Sequence, residues 1–162
     1  MEEREFKKIV GNFLADKGFE KKRNFFYKRD NNLVYVIGLQ KSKYSNGFYL
    51  NVGYLIKELH PNDEYPKDVD GDVRTRFSWI LPFSKKQTDI FELKGLSADQ
   101  SNIIEEFVSN NVERLINSVQ YNGLGWLLEK DPTLLYQTTL KAKEYLQLEL
   151  SRPKNKKPLK RA

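Results

Sequence analysis

Phe6, Ile9, Val10, Phe13 and Leu14 recur at the spacing of one face of an α-helix, and Gly18 can close that helix in the left-handed conformation. Beyond it the period shortens to two. Residues 24–30 predict a first strand, Asp30–Asn32 a turn, and 33–42 a second strand. Ser45-Asn46-Gly47 predicts a hairpin with a two-residue turn, because Asn and Gly tolerate the positive φ of tight reversals; a third strand follows at 48–57. An acidic loop over 58–72, with Pro61 and Pro66, leads to a fourth strand at 73–81 that Pro82 stops.

The second half of the chain is helical in period. Ser97-Ala98-Asp99-Gln100 has the form of a capping box, in which serine and glutamine satisfy each other's free backbone donors. Behind it Ile103, Ile104, Phe107, Val108, Val112, Leu115, Ile116 and Val119 repeat at helical spacing until Asn122-Gly123. Asp131-Pro132 opens a last helix, with Asp as cap and Pro in its first turn, running to about Leu150 with Leu134, Leu135, Ala142, Tyr145 and Leu146 inward. The order α–β–β–β–β–α–α predicts an α+β fold. Its antiparallel sheet has about four strands, preceded by one helix and followed by two longer helices packed on one face. A single domain over 1–151 and a disordered basic tail over 152–162 complete the expectation.

The net charge of +6 changes meaning once it is divided along the chain. Arg152, Lys154, Lys156, Lys157, Lys160 and Arg161 supply all of it, so residues 1–151 balance 22 basic against 22 acidic groups. The globular part is no polycation. Cysteine is absent, which removes disulfides, thiolate nucleophiles and Cys-ligated metal sites; one histidine, His60, removes multi-histidine sites within one chain. No export signal or membrane-length apolar segment is present, which makes the cytoplasm the expected location.

Most motif candidates fail on spacing. Gly123-Leu124-Gly125 mimics half of a dinucleotide fingerprint, lacks the third glycine and a preceding strand, and reads as a turn between helices. Asp68-Val69-Asp70-Gly71-Asp72 looks like a calcium loop until its glycine is found at position four instead of six. His60 reads as an exposed loop histidine within reach of Asp63 or Glu64. No catalytic residue, metal site or cofactor is expected.

Strand parity supplies the one constellation of interest. A two-residue hairpin turn places Gln40 and Ser42 on a face with Tyr49, Asn51 and Gly53, opposite an apolar face of Ile37, Leu39, Leu50, Val52, Tyr54 and Ile56. Arg74 and Arg76 share one side of the fourth strand. If that side is the Gln40/Asn51 face, two guanidinium groups line a polar concavity suited to carboxylate or phosphate. Otherwise they pair with acids of segment 58–72 and hold the loop down.

Three segments also carry a family resemblance. Leu14 through Phe26 sets Gly18-Phe19 before Lys21-Lys22. Val36 through Gly53 ends one strand on Gln40-Lys41-Ser42 and opens the next with Phe48, Tyr49, Asn51 and Gly53. Arg74-Thr75-Arg76 comes later. Together these resemble a bacterial family known as domain of unknown function 4304, closely over residues 6–80 and weakly beyond. The resemblance implies a single bacterial α+β domain without established activity. A cysteine that the family often carries before its arginine pair is missing here.

The combined reading is a non-enzymatic binding module whose partner is another protein, with an immunity-protein-like module as one concrete form. The alternative is a receptor or enzyme holding an anionic substrate at Gln40, Ser42, Asn51, Arg74 and Arg76. A third is an accessory nucleic-acid binder acting through the tail. A pocket around the arginines favours the second reading; a flat face or an internal salt bridge favours the first.

Overall fold

The computed structural model describes residues 1–80 and 87–150, so Pro82 and the 152–162 tail lie outside the described residues. Helix α1 (Glu3–Asp16) buries Phe6, Val10 and Leu14, the inner line of its apolar stripe. Strands β1 (Glu20–Lys22), β2 (Phe25–Arg29), β3 (Leu33–Lys41), β4 (Gly47–Ile56) and β5 (Val73–Arg76) lie side by side in that order, every neighbouring pair antiparallel. β6 (Trp79–Ile80) and β7 (Gln87–Thr88) form a separate ribbon, and β8 (Phe91–Glu92) pairs with the start of β4. Among the described residues the main sheet therefore has six strands, where about four were expected.

The expected fourth strand, 73–81, is cut at Arg76. Asn111 is the cause. Its side-chain oxygen accepts from the Ser78 amide at 3.0 Å and its nitrogen donates to the Ser78 carbonyl at 3.2 Å. A buried amide thus replaces the sheet ladder for Ser78, and the chain leaves β4 after Phe77 donates to Leu50.

The hairpin between β3 and β4 is longer than expected. Ser42 donates to Gly47 across a four-residue loop, where a two-residue turn was predicted. The loop still has an even number of residues, so Gln40 opposes Tyr49, Gly38 opposes Asn51, and the predicted faces survive.

Tyr35, Ile37, Leu50, Val52, Tyr54 and Ile56 form the inner face, buried with Phe6, Ile104, Phe107, Leu115 and Ile116 of the helices. On the outer face Tyr27, Val34, Val36 and Leu55 make a smaller cluster. Segment 58–72 covers it: the Tyr27 hydroxyl donates to the Pro66 carbonyl at 2.8 Å, and a 3₁₀ turn at Asp68–Asp70 lies on the sheet. Two glycines permit that approach. A Cβ at Gly38 would sit 2.5 Å from an Asp68 carboxylate oxygen, and one at Gly53 would strike the Asp68 carbonyl.

α2 (Ser101–Val112), a π turn at Glu113–Asn117 and α3 (Ser118–Asn122) follow one another without a break, and Gln100 accepts from the Ser97 amide at 2.9 Å at the capping box. Gly123, with φ +93°, reverses the chain. Helix α4 (Leu124–Lys130) then occupies a stretch read from sequence as a turn, burying Leu124, Leu127 and Leu128.

The single last helix is also corrected. Pro132–Gln137 is 3₁₀, Thr138 is extended, and α5 (Leu140–Leu150) begins afresh. Sheet contacts impose the break, since Thr138 bridges Val73 and the Thr139 amide donates to the Asp72 carbonyl at 2.8 Å. Leu134, Ala142 and Leu146 are buried as expected; Leu135 is 41% exposed, because the break changes the phase of the stripe.

Candidate functional site

The outer face is covered only in part. Beside the Asp68–Asp70 turn, between β4/β5 and the Asp131–Gln137 segment, lies a cleft of about 540 Å³. Gln40, Asn51, Arg74 and Arg76 all line it. The ladder explains why: Asn51 opposes Arg76 and Gly53 opposes Arg74, which puts both arginines on the Gln40/Asn51 face.

The two arginines differ. Arg76 is fixed by four side chains. Its Nε donates to Asn51 Oδ1 at 2.8 Å, one Nη donates to Gln40 Oε1 at 3.3 Å, and the guanidinium lies 4.1 Å from the centre of the Tyr49 ring. Its other Nη is 3.6 Å from Asp89, an exposed pair. Asn51 in turn donates to Gln40 at 2.9 Å, so amides and guanidinium form one network. Arg74 is exposed to the cleft and makes no ion pair among the described residues. The predicted pairing of these arginines with acids of segment 58–72 is therefore absent for the described residues, and the acid that does pair, Asp89, lies outside that segment.

Ser42 is a correction. It has the parity of Gln40 but follows the last residue of β3, is 8% exposed, and accepts the Tyr44 amide at 3.1 Å, which makes it a loop support away from the cleft.

Arg114, Asp68, Asp89, Asp131 and Gln137 also line the cleft, and sequence reasoning did not select them. Arg114 projects from the π turn and donates to Asn111 at 2.7 Å and to the Ser78 hydroxyl at 3.2 Å. Burial pulls its guanidinium below the ordinary value, with Tyr54 and Asp131 acting the other way. The only local signal was a charged residue beside an apolar stripe, a common arrangement on any helix.

His60 corrects its sequence reading too. Its side chain is only 26% exposed, with Nε2 at 2.9 and 3.0 Å from the two oxygens of buried Asp72 and Nδ1 at 3.3 Å from Asp63. Asp72 also accepts the Ile56 amide at 2.8 Å. The run 68–72 spends its carboxylates internally, Asp68 on the Val69 amide and Asp70 on the Lys67 amide. Among the described residues no three His, Asp or Glu side chains converge as metal ligands.

Fold and cleft together define an α+β domain whose sheet is buried under helices on one face and carries an arginine-lined cleft on the other. The model of a domain of unknown function, DUF4304, matches residues 10–121, and the chain belongs to that family. The match spans α1 to α3, including Gln40, Asn51, Arg74, Arg76 and Arg114; the Asp131–Gln137 wall lies beyond it. No curated protein and no solved structure matches the chain. Among the described residues no helix is long and apolar enough to cross a membrane.

Proposed function

We propose that this protein is a non-catalytic binding module that takes an anionic group, carboxylate or phosphate, into the cleft through Arg74. One observation carries the reading. Arg74 presents its guanidinium donors to the cleft with no ion pair among the described residues, while its neighbour Arg76 is held in place by an amide network. A pre-set second cation lowers the ordering entropy that binding must overcome.

Binding is favoured over turnover by the state of the other groups. The lining contributes no imidazole, and each carboxylate is engaged: Asp68 by the Val69 amide, Asp89 by Arg76, Asp131 by the Thr133 hydroxyl.

Thermal melting with a panel of phosphate and carboxylate compounds tests this. A stabilising shift is expected for wild-type protein and not for Arg74→Met, with affinity lower by about tenfold or more in the variant, the size of one lost charge-assisted hydrogen bond. Equal shifts in both proteins, or none from any anion, overturn the reading.

A further inference from the structure

Among the described residues β5 is an end strand of the main sheet, and its Arg74, Thr75 and Arg76 line the cleft. The ladder tells which backbone groups face that edge. Phe77 donates to Leu50, so in an antiparallel pair the next hydrogen-bonded partners are Thr75 and Val52. Arg74 and Arg76 are then the non-bonded positions of the β4 pair, and their amides and carbonyls point away from β4. Near Arg74 the edge is closed by the Val73–Thr138 bridge. At Arg76 neither the amide nor the carbonyl has a hydrogen-bond partner among the described residues. An edge strand with open backbone groups, lying in a cleft and carrying cations at alternate positions, is a template for another strand.

The far side of the cleft points to a peptide as occupant. Its wall, Pro132–Gln137, contributes Leu134 to the lining and exposes Leu135 and Tyr136 outside it, with exposed Leu140 following. Val69, on the cleft's other rim, is 60% exposed. An isolated phosphate would use none of this apolar surface.

Resting on the proposed anion-binding role of Arg74, we infer that the cleft takes an extended acidic segment of a partner protein, which adds one short strand to the edge of β5 at Arg76. Side chains on such a strand alternate. Acids at every second position reach the face of Arg74 and Arg76, and the intervening residues face Thr75 and Leu134. The recognised pattern is an acidic–apolar alternation over about four to six residues, set by the length of one short strand. Charge alone does not specify it, because Asp68, Asp89 and Asp131 in the lining exclude a uniformly acidic tract.

The probe is a blocked hexapeptide, acetyl-Thr-Glu-Val-Glu-Val-Thr-amide, titrated into ¹⁵N-labelled full-length protein. Binding is expected to shift the Arg74–Arg76 amides and slow exchange at Arg76. N-methylation of one alternating set, at either the Glu or the Val positions, should weaken binding about tenfold or more, and the other set should be tolerated, because only one set turns its amides toward β5. The same peptide with Lys for Glu should not bind. If both methylated peptides bind as well as the parent, and Arg74→Met still abolishes binding, the strand is overturned and the arginine site stands. The strand is equally overturned if only phosphate or glutarate binds in an Arg74-dependent way. Binding of the Lys peptide as tightly as the Glu peptide overturns the acidic pattern. If neither peptide nor small anion binds, the reading of the cleft falls, and this inference with it.

Discussion

The cluster around Asp72 and the cleft around Arg74 begin two residues apart in the chain and follow opposite rules. Every oxygen of Asp72 is occupied. The carboxylate accepts from the Ile56 amide and faces His60 at 2.9 and 3.0 Å, with the Thr139 hydroxyl at 3.4 Å, and its side chain is 4% exposed. Arg74 is the reverse: exposed, cationic and without an ion pair among the described residues. Buried polar groups that hold a fold together are recognised by saturation. Groups available to a ligand are recognised by donors left without a partner. His60, read from sequence as an exposed histidine, belongs to the first kind, and the fold ties segment 58–72 down through it.

The largest break in this comparison is Asp72→Ala. It removes the carboxylate from one buried backbone amide and from the imidazole, and a loss of about 3 kcal/mol is expected in denaturant unfolding. A change below about 1 kcal/mol would show that the cluster is not structural.

Asn111→Ala comes next. It removes Asn111 as a partner of both backbone groups of Ser78 and of one donor of Arg114, with an expected loss of about 2 kcal/mol. Hydrogen exchange at the Ser78 amide should rise by a larger factor than exchange in β3. Parallel increases would indicate global destabilisation only.

Tyr54 sharpens the contrast through pH. Its phenol is fully buried, donates to the Leu115 carbonyl at 2.7 Å, and is pushed well above the ordinary tyrosine value by desolvation. The unfolded chain releases this proton near pH ~10, and the folded protein keeps it to higher pH. Stability from this group is therefore present below about pH 10 and declines as pH rises beyond it. Tyr54→Phe is expected to lower stability at pH 8 by about 1 kcal/mol, the size of one hydrogen bond, and to show a shallower loss between pH 9 and 11. An unchanged alkaline slope would mean that other groups set it.

The smallest effects belong to the cleft itself. Arg76→Met loses two hydrogen bonds and a ring contact on a partly exposed side chain, for about 1 kcal/mol. Arg74→Met should stay within ~0.5 kcal/mol of wild type in the absence of anion. If the two variants melt together, the asymmetry between the arginines is wrong.

Much of the fold was legible because period and parity are local properties. Alternation over 33–57 placed Ile37, Leu50, Val52 and Tyr54 inward whatever the hairpin loop, provided that loop held an even number of residues. Gln40 and Asn51 follow from that parity, whereas Arg74 and Arg76 share one side of their own strand and only the β4–β5 register set that side on the Gln40/Asn51 face. Ser42 has the right parity and the wrong neighbourhood, since the strand stops one residue before it. The end of β5 and the break in the last helix were less legible, because both come from distant contacts: Asn111 stops β5 from more than thirty residues away, and Thr138 leaves the helix to bridge Val73.

The sequence by itself determined which side chains share a face within each strand and across the β3–β4 hairpin, because the pleat alternates without regard to what lies beyond it. Only the tertiary structure decided what each polar group would meet. Asp89 reaches Arg76, His60 closes on Asp72, the Asp131–Gln137 wall turns a polar face into a cleft, and Arg74 is left without an ion pair among the described residues. Those pairings join residues far apart in the chain, and their geometry depends on how whole elements dock. No period or spacing in the sequence encodes it.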